Sequence, residues 1–221
     1  PPIRNIRLLS KPSHLKALDP IEEGGHEVVE DAPPIDLAEL DAICLAVWFH
    51  GFDAWLDGIA AATGREVGPD TVERQSLAGY RFARRQTGDD LLAALEGLNR
   101  YRREVVGPFF ARHDLWLTPT TALPSQPNAD YGMDREMPFE DWLAFEEPPC
   151  QFLVPYNAAG QPAISLPLAQ HSTGLPIGIQ LGARHAEEHL LLAVASQLEE
   201  ALPWSRRRPP VHVVVGDDAA R

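Results

Sequence analysis

The stretch that most narrows what this chain can become lies at 162–202. Two short apolar runs, PAISLP at 162–167 and LPIGIQL at 175–181, are separated by a short polar linker. Runs of this length and composition read as strands, and the linker lets them form a hairpin or lie close together in one sheet. Residues 186–202 then place Leu190, Leu191, Val194, Leu198 and Leu202 at three- and four-residue steps, the spacing of a helix with one apolar face. Such a helix needs a surface to bury that face, and the preceding strands provide one. Further strand-like runs alternate with helical segments along the chain, so the sequence predicts an α/β layer architecture.

Residues 3–9 (IRNIRLL) and 26–30 (HEVVE) read as short strands, with 10–25 mostly turn between them. One long helix is expected from an N-cap at Asp36 to a stop at Gly64, because Leu37, Leu40, Cys44, Val47, Trp48, Gly51, Trp55 and Ile59 recur at helical steps. Residues 42–49 (AICLAVWF) are apolar nearly all round, which predicts burial on more than one side. A weaker helix fits 69–86. Thr87-Gly88-Asp89-Asp90 resembles a capping box that opens another helix, with Leu91, Leu95, Leu98, Val105 and Phe109 on one stripe. Gly107-Pro108 should kink or end it. Residues 114–118 (DLWLT) read as a buried strand closed by Pro119. The Pro-rich stretch 119–150 is a variable loop region with one short helix near 138–145, and 205–221 is a tail.

Charge excludes some partners. Nineteen Lys and Arg face 32 Asp and Glu, a formal net charge of −13. A polyanion is repelled by such a surface, so neither nucleic acid nor an anionic membrane is the expected partner. No run approaches the roughly 18 apolar residues of a membrane span. Two cysteines, Cys44 and Cys150, make no disulfide framework, which favours a reducing, cytoplasmic setting. The chain opens on Pro1-Pro2 rather than Met and reads as a piece of something longer.

The constellations of reactive residues are thin. His185-Ala186-Glu187-Glu188-His189 has the H-x-x-E-H spacing of some zinc peptidases, but a third ligand and a cleft are needed. The plainer reading is a helix start whose acidic residues suit the macrodipole. Cys44 sits among apolar residues with nothing to lower its pKa, and Cys150 in the long loop reads as a buried thiol or a pocket liner. The Arg clusters at 81–85, 100–103 and 206–208 read as solvated faces or carboxylate partners. No serine lies in G-x-S-x-G or in a glycine-rich turn able to form an oxyanion hole, and Ser165, on a strand, reads as core.

The stretch 152–182 resembles the C-terminal part of the amidase signature family. It contains PYNAAGQPAISLP at 155–167 followed closely by GLPIGIQL at 174–181. Upstream, Phe109-Phe110 with 114–120 (DLWLTPT), and His26-Glu27-Val28-Val29 with Pro33-Pro34, are similar to other segments of that family, as are Trp204 and Pro209-Pro210 near the end. The resemblance covers most of 26–210. It implies a three-layer α/β/α fold with a mixed central sheet. It also implies hydrolysis of carboxamide C–N bonds by a Ser–Ser–Lys triad, with a Gly- and Ser-rich loop as oxyanion hole and with no metal or other cofactor.

This sequence contains no Ser-Ser pair, its only Gly-Gly pair (Gly24-Gly25) is followed by His26, and Lys11 and Lys16 match no catalytic lysine position. In the family those elements precede the segment seen here. The expectation is therefore a C-terminal fragment, one partial domain over 1–221, with no catalytic residue of its own and its nucleophile upstream of residue 1. Its partners would be a small-molecule amide and the missing N-terminal half, with homo-oligomer formation open. The alternative is a non-catalytic, degenerate module for binding or assembly. Candidate substrate-binding residues are Thr118, Thr120, Tyr156, Asn157 and Gln161, with Trp48 as an aromatic wall; Asn157 and Gln161 can equally serve only the turn at Gly160.

Overall fold

The computed structural model describes residues 6–8, 19–125, 127 and 132–209, with backbone alone at 6–8 and 146–148. Among them, β1 (Ile6–Leu8), β2 (Val28–Val29), β3 (Leu115–Pro119), β4 (Ala163–Gln170) and β5 (Pro176–Ala183) form one sheet in the order β2-β1-β3-β5-β4. β1 runs parallel to β2 and β3, and β5 runs antiparallel to β3 and β4, so the sheet is mixed and β4–β5 is a hairpin.

Strand alternation sorts side chains to two faces. Leu115 and Leu117 of β3, Ile179, Leu181 and Ala183 of β5, and Leu166 and Leu168 of β4 face one way. They bury Leu191, Val194 and Leu198 of α9 (Glu188–Ala201) and Ile21 of α1 (Asp19–Glu23). Trp116 faces the other way. It joins Leu40 and Cys44 of α2 (Leu37–Phe49), Leu98 of α5 (Gly88–Arg100), Phe109 and Phe110 of α6 (Gly107–Phe110), and Val154 and Tyr156 of α8 (Val154–Ala159). Two helical layers thus enclose the sheet. α2 approaches α5 closely because Gly97 has no side chain; a Cβ there would meet Ile43 at 2.6 Å.

Several local expectations are met in detail. Asp36 caps α2 by accepting from Glu39 N at 3.0 Å, and Thr87 and Asp90 exchange both bonds of a capping box at the start of α5. Asp90, stabilised as a carboxylate by the Thr87 hydroxyl and N–H, is held below its ordinary pKa.

Other expectations are corrected. The long helix at 36–64 is two: Gly51 adopts φ 79° and turns the chain into α3 (Phe52–Thr63), which Gly64 ends at φ 68°. The helix expected over 69–86 is α4 (Arg74–Ala83). Residues 68–72 form a turn instead, with the Thr71 hydroxyl on Glu66 O at 2.6 Å. Pro108 does not end its helix. A π-helical segment (Tyr101–Val106) absorbs it, since the wider i→i+5 pattern bridges the place where proline has no N–H to give. The helix in the Pro-rich region is longer than expected: α7 spans Phe139–Cys150.

Burial of 42–49 on more than one side is found: all but Ala42 and Trp48 are buried or partly buried, with Ile43, Cys44 and Val47 in the cluster beside α5 and α8. Phe49 turns inward, with its ring 5.5 Å from Phe82 and from Phe139. Trp48, about 100° round the helix, is 52% exposed. Trp48 is therefore an exposed position on a packed helix and not an inward-facing wall. The parts of 10–25 before residue 19, with Lys11 and Lys16, and the tail past 209 lie outside the described residues. No described helix is long and apolar enough to cross a membrane.

Candidate functional site

The alternation that sends Leu115 and Leu117 to one core sends Thr118 to the opposite face of β3. The register pairs Thr118 with Gln180, and Gln180 in turn with Ser165. Thr118, Gln180 and Ser165 therefore form one polar row across β3, β5 and β4, spaced at about 4.8 Å. Both sides of the row contrast with the apolar face behind it.

The inner end of the row is buried and bonded. Gln180 Nε2 donates to Phe152 O at 3.1 Å and more weakly to Thr118 Oγ1 at 3.4 Å. That ties the α7–α8 connection to the sheet. The Tyr156 hydroxyl lies beside Thr118 and Gln180 and donates to Trp116 O at 3.1 Å. Burial pushes its phenol well above the ordinary value, so it stays a neutral donor. Its ring stands 4.5 Å from the Trp116 ring and rests on Gly182, where a Cβ would lie 2.0 Å from Tyr156 Cε1.

The outer end of the row is open. Thr120 extends the β3 ladder by donating from N to Gly178 O at 2.9 Å, and its hydroxyl is 2.5 Å from Ser165 Oγ. Thr120 and Ser165 flank β5 from either side, yet their hydroxyls meet. They do so because Gly178 lies between them without a side chain; a Cβ there would be 2.7 Å from Thr120 Oγ1 and 2.9 Å from Ser165 Oγ.

The structure gathers some of the sequence candidates and separates others. Thr118, Thr120 and Tyr156 share this region. Asn157 is exposed on α8, its carbonyl accepting from Gly160 N at 3.2 Å. Gln161 precedes β4, four residues before Ser165. It lines a separate cleft of about 750 Å³ with Arg102, Gly160, Arg184 and His185. Its Oε1 is buried with no hydrogen-bond partner among the described residues. Trp48 is exposed, as noted. Two participants, Ser165 and Gln180, were not among the candidates. Ser165 is exposed rather than core. The signal for both was present: in PIGIQLG every second residue is Pro, Gly, Gln or Gly, so one face of that strand is not built for a hydrophobic core.

The other constellations resolve plainly. Among the described residues no group of three His, Cys, Asp or Glu is placed to hold a metal ion; His185 precedes α9, and its Nδ1 lies 3.4 Å from Gly160 O. Cys44 is buried, and desolvation, with Asp41 nearby, raises its thiol to about 11. Arg84 pairs with Asp57 at 3.6 Å and Arg100 with Glu39 at 2.5 Å, as carboxylate partners.

A family model described as Amidase matches residues 11–192. The chain belongs to the amidase family. It is 37% identical over 150 residues to the 6-aminohexanoate-cyclic-dimer hydrolase of Paenarthrobacter ureafaciens, which spans 66% of this chain and 30% of that protein. It is 36% identical over 205 residues to the putative amidase AmiC of Mycobacterium leprae, covering 87% of this chain and 40% of the relative. Its structure matches that of 6-aminohexanoate cyclic dimer hydrolase complexed with substrate at TM-score 0.80 and 28% identity, over 95% of this chain and 47% of that one. The three-layer fold is thus that of amidase signature enzymes, and the amidase-family chain spans less than half the length of the relatives it matches.

Proposed function

We propose that this chain is the wall-and-scaffold part of an amidase that hydrolyses carboxamide C–N bonds, with a serine nucleophile on polypeptide upstream of residue 1. The observation that carries the reading is the polar row Thr118–Gln180–Ser165, open at its Thr120–Ser165 end on an otherwise apolar sheet, in a sequence with no Ser-Ser pair. A hydroxyl nucleophile needs an activating base and an oxyanion hole. Ser165 has a threonine hydroxyl as its side-chain partner, and threonine is no base. The row instead offers hydrogen bonds at fixed positions, which orient an amide without attacking it.

In this reading 1–221 is one partial domain and the protein acts in the cytoplasm. The 119–150 region, tied to the floor through α7 and Phe152, shapes the side of the pocket that selects the amide, and 205–221 is a tail. Thr118, Thr120 and Tyr156 serve the substrate side, Tyr156 by holding the floor. Asn157, Gln161 and Trp48, also candidates for substrate binding in the sequence, lie away from this row and are assigned instead to contacts with the rest of the protein. The substrate is a small uncharged or weakly charged amide, the cyclic dimer of 6-aminohexanoate being the first to try. The exposed Trp48 and Trp55 (60%) then face the remaining half of the domain or a second copy.

The test is covalent trapping. The uninterrupted reading frame around this chain is expressed, treated with a serine-directed fluorophosphonate and digested for mass spectrometry. The reading expects the label on a peptide outside 1–221. A label on Ser165, or no label together with no upstream Ser-Ser element, overturns it, the second result favouring a non-catalytic module.

A further inference from the structure

We propose that the Thr120–Ser165 hydroxyl pair, bridged over Gly178, is a specificity-determining subsite that holds an uncharged amide group of the substrate and discriminates against a charged one. This rests on the amidase reading above and assigns a substrate class to the open end of its floor.

The geometry carries the argument. Strands flanking β5 lie about 9.6 Å apart, two interstrand spacings. Side chains that far apart do not ordinarily touch, yet Thr120 Oγ1 and Ser165 Oγ are 2.5 Å apart. The bridge exists only because position 178 carries no Cβ. One hydroxyl donates to the other, so the pair keeps one O–H donor and several lone pairs unused. Ser165 is exposed and Thr120 half-buried, so these groups are reachable. The bonded pair is fixed in position, which lowers the ordering cost of binding.

The chemistry of the pair sets what it binds. It donates once and accepts at adjacent atoms, the complement of a carboxamide, which accepts at C=O and donates at N–H. Among the described residues neither hydroxyl bonds a charged side chain. A carboxylate or ammonium brought here would lose water without gaining a counter-charge, which is unfavourable. A neutral amide loses less and is matched in full.

The experiment uses the uninterrupted protein with adipamide and adipamate, which share a scissile carboxamide and chain length and differ at the far end, an uncharged amide in one and a carboxylate in the other. Ser165→Ala, Thr120→Val and Gly178→Ala are compared with wild type, each checked for an unchanged far-UV spectrum and melting curve. Gly178→Ala keeps both hydroxyls but separates them. The subsite predicts about a tenfold fall in kcat/KM for adipamide in each variant, carried mainly by KM, so that the preference for adipamide over adipamate shrinks by about the same factor. Thr120→Ser retains wild-type preference. Unchanged discrimination in both Ser165→Ala and Gly178→Ala, with activity retained, overturns the subsite alone. If wild type hydrolyses neither of these amides nor the cyclic dimer of 6-aminohexanoate, the amidase reading fails, and adipamide binding by calorimetry then decides the subsite separately: binding weakened by Ser165→Ala supports it, and binding insensitive to all three variants overturns it.

Discussion

Gly182→Ala is the substitution whose cost follows most directly from the structure. A Cβ at 182 would lie 2.0 Å from Tyr156 Cε1, 2.6 Å from Cδ1 and 3.1 Å from Cζ, against the ring edge rather than a flexible tip. The ring cannot swing away. It is 3% exposed, faces Trp116 at 4.5 Å, and is pinned by its hydroxyl on Trp116 O at 3.1 Å. Overpacking of this kind costs about 1–3 kcal/mol. If the ring is driven off, the Trp116 carbonyl loses its bond, a further ~1 kcal/mol. A total near 3 kcal/mol lowers a urea midpoint by about 1–1.5 M for an m-value of ~2–3 kcal/mol/M. Tryptophan fluorescence follows the transition, with Trp116 inside the affected contact. The decisive control is a double-mutant cycle with Tyr156→Leu, in which Gly182→Ala becomes nearly neutral. A cost below about 0.5 kcal/mol, or the same cost with and without the tyrosine ring, refutes the assigned packing.

Further outcomes follow from the same geometry. Gln180→Leu strips the donor from Phe152 O and Thr118 Oγ1, destabilises the chain by about 2 kcal/mol, and in the uninterrupted protein raises KM for amides; urea melts and steady-state kinetics read the two effects. Thr87→Ala removes the capping box and costs about 1 kcal/mol by the same melts. Trp48→Ala changes the stability of this chain by less than about 0.5 kcal/mol, because the side chain is mostly in water already. Cys44, with its thiol raised to about 11 by burial, stays unlabelled by an aromatic disulfide reagent at pH 8 until the protein unfolds. Its protonated form is the one the fold favours, so the stability it contributes is present below pH 9 and is lost as pH rises towards 11. Cys44→Ala flattens that alkaline slope.

Much of this was legible from local rules. Asp36, Thr87 and Gly64 act where they stand in sequence, because caps and stops are decided by a few neighbouring atoms. The β4–β5 hairpin and α9 were legible because the apolar period and the polar linker agree. What the sequence misplaced depends on long-range geometry. Gly51 was absorbed into one helical stripe because its φ of 79° has no signature in spacing. Pro108 reads as a breaker unless the π-helical turn before it is known. Trp48 was assigned inward because an all-apolar segment does not say which residue of its last turn the fold buries; Phe49 takes that place. Ser165 was read as core because it sits between Ile164 and Leu166, but period two sends it to the opposite face, beside Gln180 and Thr120. The site was half visible for the same reason: Thr118 and Thr120 stand out at the end of their strand, whereas Ser165 and Gln180 join them only through register.

The central claim is that these residues orient an amide and do not attack it. Turnover by the 221-residue chain alone measures that directly, against the uninterrupted protein at equal molar concentration on the same carboxamide. The account predicts hydrolysis by the longer protein and a background rate for the chain. Enzymatic turnover by the chain alone, abolished by Ser165→Ala, would contradict it.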